Sequence, residues 1–119
     1  MNSLHIIGNV SSEVELRTTT SGKEVCNFTV AVNRRKTSQN QDPGADFFRV
    51  SAWNERGKTC NKFLKKGKKV SVVGPVSVRV YTNGKGEPAA SLEITADDVE
   101  FLSPRENVVN DQDDPFLGR

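Results

Sequence analysis

The sequence predicts a small all-β domain carrying one short helix. Short valine-rich runs recur along most of the chain, Gly, Pro, Asn and Ser clusters separate them, and no long helix-forming run intervenes. At 119 residues the chain fits one domain plus a short extension.

The first strand-like run is Leu4 to Val10, closed by Ser11-Ser12. A second, Glu13 to Thr20, ends at the turn signal Ser21-Gly22-Lys23. In Val25 to Arg35, apolar Cys26, Phe28, Val30 and Val32 alternate with polar Asn27, Thr29, Asn33 and Arg35, the period of a half-buried strand. Lys36 to Ala45 is polar, contains Asp42-Pro43-Gly44 and reads as a long loop. Asp46 to Trp53 is the next strand. Asn54 is placed to cap a helix running to about Leu64, with Cys60 and Phe63 or Leu64 turned to the core; Gly57 weakens it, and Lys65-Lys66-Gly67 reads as its end. Val70 to Gly74 and Val76 to Tyr81 are strands. Thr82 to Pro88 is a turn containing Asn83-Gly84, and Leu92 to Leu102 is a last strand with room for a bulge at Asp97-Asp98.

Five or six short strands with one helix mid-order suggest a five-stranded Greek-key barrel of the OB type, with a β-sandwich as the alternative. Residues 1–102 form this expected domain. From Ser103 the alternation stops. Residues 103–119 are polar and acidic, contain Pro104 and Pro115, and are expected to be a disordered acidic tail.

The net charge of +2 hides an asymmetry. Met1 to Leu102 holds 15 Lys and Arg against 11 Asp and Glu, whereas Ser103 to Arg119 holds 2 against 4. A basic body and an acidic tail result. The cysteines, Cys26 and Cys60, form no CxxC motif, and Cys26 sits where a buried thiol is expected. Met1-Asn2-Ser3 runs directly into the first strand, no apolar stretch has membrane-spanning length, and a reducing cytoplasm is the expected location.

The most informative segment is Phe47-Phe48-Arg49-Val50-Ser51-Ala52-Trp53. Side chains alternate faces along a strand. Phe48, Val50 and Ala52 make an apolar face; Phe47, Arg49, Ser51 and Trp53 make the other. A dry core disfavours Arg49, and a plain solvated face disfavours Phe47 with Trp53. Val76 to Tyr81 repeats the arrangement, with Val76, Val78 and Val80 opposite Ser77, Arg79 and Tyr81. Single-stranded nucleic acid suits that combination: bases stack on flat side chains and cations follow the phosphates. The plainer reading makes Trp53 a core residue and Tyr81 a surface tyrosine. Arg34, Arg35 and Lys36, where a strand becomes a loop, are further candidates for phosphate contact. Lys62, Lys65, Lys66, Lys68 and Lys69 read mainly as solubilising charge.

No enzyme, cofactor or metal is expected. The sole histidine, His5, has no evident nucleophile partner, no phosphate-cradling glycine motif or zinc spacing is present, and adjacent Asp97 and Asp98 point to opposite faces of a strand.

Asn2 to Val10 with Glu13 to Arg17, Asn27 to Asn33, Asp46 to Trp53, Phe63 to Gly67 and Gly74 to Tyr81 together resemble the bacterial and phage single-stranded DNA-binding proteins, in order and over nearly the whole chain. The resemblance implies an OB-fold, a homotetramer, and DNA wrapped over aromatic side chains in replication, recombination and repair. It places stacking positions on Phe47, Trp53 and Tyr81, and puts Lys36 where an aromatic is usual, so that a phosphate contact replaces stacking there. It also implies a bacterial, nucleoid-associated protein whose acidic tip recruits replication and repair proteins. Here Asp113-Asp114-Pro115-Phe116 matches that tip, but Leu117-Gly118-Arg119 follow. Two other readings compete. A primosomal-type OB adaptor typically lacks such a tip, and an OB-fold nuclease needs clustered carboxylates.

Overall fold

In the computed structural model, residues 1–39 and 43–103 are described. The chain order is β1 (Leu4–Val10), β2 (Glu15–Thr18), β3 (Glu24–Asn33), β4 (Ala45–Trp53), α1 (Asn54–Phe63), β5 (Lys69–Gly74), β6 (Val76–Thr82), β7 (Pro88–Thr95) and β8 (Asp98–Phe101). The eight strands form one sheet, ordered β6-β7-β4-β3-β1-β5-β8, with β2 added to β3.

This corrects the expected five-stranded closed barrel. The pairing path is open, ending at β6 and β8. The run expected as one final strand is two strands with different partners: β7 lies parallel to β4, and β8 lies antiparallel to β5. Between them, Ala96 N–H donates to the Ser51 carbonyl at 2.9 Å and Asp97 N–H to the Val73 carbonyl at 2.7 Å. Each peptide bonds to a different strand, so the chain changes partner there and no single ladder continues. Gly74 is required at this crossing, since a Cβ would come within 1.9 Å of the Thr95 carbonyl oxygen.

The core follows the alternation. Phe28 and Val30 from β3, Val50 and Ala52 from β4, and Val70 and Val72 from β5 are buried with Ile6, Val10, Cys26 and Ile94. From the helix side Cys60 and Leu64 complete the core, whereas Phe63 is exposed. The valines of β6 share a face, as expected, but only Val76 packs against the core; Val78 is 61% and Val80 72% exposed. The β6–β7 hairpin extends beyond the core with both faces open.

Two helix expectations change. Trp53, not Asn54, occupies the N-cap, without a side-chain capping bond, and Asn54 begins the helix at φ 54°. Gly57 is unfavourable by propensity, yet it is the contact point that lets α1 lie on the sheet: a Cβ there would fall 2.3 Å from the Ala52 carbonyl oxygen. Gly57→Ala gains roughly 1 kcal/mol of helix propensity but meets backbone, and overpacking typically costs about 1–3 kcal/mol. The variant should melt below the parent; an equal or higher midpoint would remove the close-approach role.

Cys26 and Cys60 are free and buried. Burial pushes the Cys26 thiol up to about 11 and the Cys60 thiol up to about 12, with Cys26 adding to the latter. Both stay neutral in the folded protein at physiological pH. A thiol reagent at pH 8 should modify them only as fast as the protein opens. Their contribution to stability is complete below the ordinary thiol value of 9.0 and is lost as pH rises through the folded values.

Candidate nucleic-acid interface

The outward face is organised by β7, which sits between the two strands singled out in the sequence. β4 and β7 pair in parallel, setting Arg49 beside Glu93 and Ser51 beside Thr95. β6 and β7 pair antiparallel, setting Glu93 beside Ser77, Ser91 beside Arg79 and Ala89 beside Tyr81. Residues directly opposite across a ladder share a face. Arg49, Glu93 and Ser77 therefore make one row. Phe47 and Arg79 lie level one pleat away, and Tyr81 lies one pleat further on. Trp53 ends the face in the other direction, six residues from Phe47, or roughly 20 Å at 3.3 Å per residue.

The aromatics on this face are open: Phe47 is 59%, Trp53 37% and Tyr81 45% exposed. Beneath them Phe48 is half-buried and Val50 and Ala52 are buried, so β4 serves the core and the surface at once. Arg49 and Arg79 are exposed and share one carboxylate, Arg49 Nε lying 4.0 Å and Arg79 Nη1 3.8 Å from Glu93 Oε2. Exposed ion pairs of this length hold side chains weakly. Ser51 Oγ donates to Asn27 Oδ1 at 2.9 Å, which makes it part of the face's floor.

The other cations are distributed unevenly. Arg34 is committed to Asp46, with Nη2 at 2.7 Å and Nε at 3.0 Å from Oδ1 and Nη1 at 3.3 Å from the Pro43 carbonyl. The hydrogen bond to Asp46, then its charge, raise the Arg34 pKa. Arg34 thus braces the ends of the β3–β4 loop, where Arg35 and Lys36 are exposed. The tip Asp113, Asp114, Pro115 and Phe116, with the rest of the expected tail beyond Ser103, lies outside the described residues.

Three residues were missed from sequence. Glu93 follows the alternation Leu92, Ile94 against Ser91, Glu93, Thr95, which marks the strand but not its neighbours. Arg17 joins the face because β2 sets it beside Val25, which β4 sets beside Trp53. Lys23, read only as a turn residue, lines an open cleft at Trp53 together with Thr19, Ser21 and Asn54. At the end of α1, Phe63 forms a second exposed aromatic pair with Phe101, 5.8 Å between centroids, with Lys62 Nζ 5.4 Å from the Phe63 ring. Among the described residues no group of three or more His, Cys, Asp or Glu is placed to hold a metal. No helix there is long and apolar enough to cross a membrane.

An outer sheet face of exposed aromatics interleaved with arginines defines a class, the nucleic-acid-binding β-sheet proteins. Comparison with known proteins gives the family. The model of the single-strand binding protein family matches residues 1–102, and the chain belongs to that family. It is 35% identical over 113 residues to single-stranded DNA-binding protein 1 of Staphylococcus aureus, covering 95% of this chain and 72% of that protein. It is 37% identical over 109 residues to single-stranded DNA-binding protein 2 of Listeria monocytogenes, covering 92% and 68%. In fold it is similar to the crystal structure of the small single-stranded DNA-binding protein from Streptomyces coelicolor, with a TM-score of 0.74, 24% identity, and 84% and 93% of the two chains covered.

Glu93→Gln keeps the shape of the side chain and releases both arginines. Oligothymidine binding, followed by fluorescence anisotropy at two salt concentrations, should tighten and become more salt-dependent. Unchanged affinity and slope would mean that Arg49 and Arg79 do not meet the strand.

Proposed function

We propose that the chain coats single-stranded DNA without regard to base sequence, protecting it during replication, recombination and repair, and that it performs no chemistry on it. The observation that supports this most is the joining, through β7, of two aromatic-and-arginine strands into one outer face. Phe47, Trp53 and Tyr81 offer flat surfaces to bases, and every base has a π-face, so stacking tolerates any sequence. Arg49 and Arg79 lie between the aromatics and meet the phosphates, with Arg35 and Lys36 extending the charge from the β3–β4 loop. Arg34 contributes by holding that loop as much as by its own charge. Paired bases in a duplex cannot reach the aromatics, which gives the preference for single strands.

Membership of the family supports the same reading, as do the names of the similar proteins. In this reading residues 1–102 are the DNA-binding unit, working as a homo-oligomer, a tetramer, in the bacterial cytoplasm. Residues 103–119 are a tail whose Asp113-Asp114-Pro115-Phe116 segment docks replication and repair proteins. Its carboxylates meet a basic rim and Phe116 an apolar hole.

The chain has one tryptophan, so intrinsic fluorescence reads the face directly. Oligothymidine should quench it. Trp53→Ala should lose about 1–3 kcal/mol of binding, roughly 5- to 150-fold, with little change in melting temperature. A large loss of stability with unchanged affinity would show Trp53 to be a packing residue and remove the reading.

A further inference from the structure

The outer face does not stop at Trp53. Beyond it the β2–β3 turn and the first residue of α1 enclose an open cleft of about 440 Å³, lined by Thr19, Ser21, Lys23, Trp53 and Asn54. That volume falls within the roughly 300–1,000 Å³ of ligand clefts. Resting on the reading of the Trp53 face as a single-stranded-DNA surface, we infer that this cleft is the seat of one nucleotide of the bound strand. The base lies on Trp53 and its phosphate on Lys23.

The cleft is held in shape before any ligand arrives. Thr19 N–H donates to the Lys23 carbonyl at 2.7 Å and Gly22 N–H to the Thr19 carbonyl at 2.9 Å. The Thr19 hydroxyl accepts from Lys23 N–H at 3.2 Å and lies 3.0 Å from the Ser21 hydroxyl. Asn54, at the opposite wall, is the one described non-glycine residue with positive φ. Residues held in such conformations cluster at active sites and ligand clamps.

The charge is sorted as well. The carboxylates next in sequence to the lining residues, Glu24 and Glu55, are both drawn to Lys58 Nζ, each at 3.2 Å. The hydrogen bonds to Glu24 and then Glu55 raise the Lys58 pKa. With those carboxylates gathered outside the cleft, Lys23 is its only charged lining residue. Among the described residues neither the Lys23 ammonium nor the Asn54 amide has a hydrogen-bond or ion-pair partner. The wall chemistry fits a nucleotide: an indole for the base, an ammonium and hydroxyls for the phosphate and sugar. The Asn54 amide can donate or accept, and so favours no base.

A double-mutant cycle on the full chain tests the assignment, with labelled oligothymidine followed by anisotropy at several salt concentrations. Lys23→Ala should weaken binding about 3- to 10-fold at low salt and reduce the log–log salt slope by roughly 0.7, one phosphate on a single strand. Lys23→Arg should restore both. In a Trp53→Ala background the effect of Lys23→Ala should fall below twofold, because residues sharing a partner are not additive. Trp53→Leu replaces Trp53→Ala if the latter does not melt like the parent. Equal effects of Lys23→Ala in both backgrounds, or none in either, would overturn the nucleotide seat while leaving the Trp53 face intact. No effect of removing Trp53 itself would overturn the underlying reading as well.

Discussion

Every feature of the outer face depends on the register of β4. This strand pairs with β3 at all nine of its residues and with β7 at four. Side chains alternate with a period of two, so a one-residue slip would turn Phe47, Arg49 and Trp53 inward and Val50 and Ala52 out to solvent. The buried side of β4 enforces the register: Val50 and Ala52 pack in the centre of the core beside Phe28 and Ile94. The aromatics can stay exposed because the residues between them supply the burial.

The second constraint is how the chain disposes its carboxylates. A basic surface that binds phosphates gains nothing from acids, yet three clusters place them close by. Glu93 lies between Arg49 and Arg79. Asp46 holds Arg34 at the loop base. Lys58 collects Glu24 and Glu55 beside the Trp53 cleft. These groups are at the surface, where each pair contributes little stability. What they settle is which cations have a carboxylate beside them: Arg17, Lys23, Arg35 and Lys36 stand outside the described ion pairs.

Much of this was legible in the sequence because alternation reports faces. The split of β4 into Phe48-Val50-Ala52 and Phe47-Arg49-Ser51-Trp53 survives intact, as does the buried position of Cys26; the short helix after β4 is present, although its cap is Trp53 and not Asn54. Alternation does not report neighbours. Nothing in the run Leu92 to Leu102 announced that its first half pairs with β4 and its second with β5, so one strand was expected for two and a closed ring for an open order. For the same reason Glu93, Arg17 and Lys23 were invisible as site residues; each reaches the face through pairings distant in sequence. Gly57 does weaken the helix by propensity, but its packing role was not legible, because propensity is local and its contact with Ala52 is not. Val78 and Val80 carry the pattern of a core face, but among the described residues no layer covers them.

In the proposed arrangement the strand lies across β4, β7 and β6. This arrangement is tested most directly by mapping backbone amide chemical shifts as oligothymidine is added. The largest changes should cluster at Phe47, Arg49, Ser51 and Trp53, at Ser77, Arg79 and Tyr81, and at Ser91 and Glu93 between them. Changes centred on the Phe63–Phe101 pair, or on the outer residues of β1 and β5, with that cluster unmoved, would contradict it.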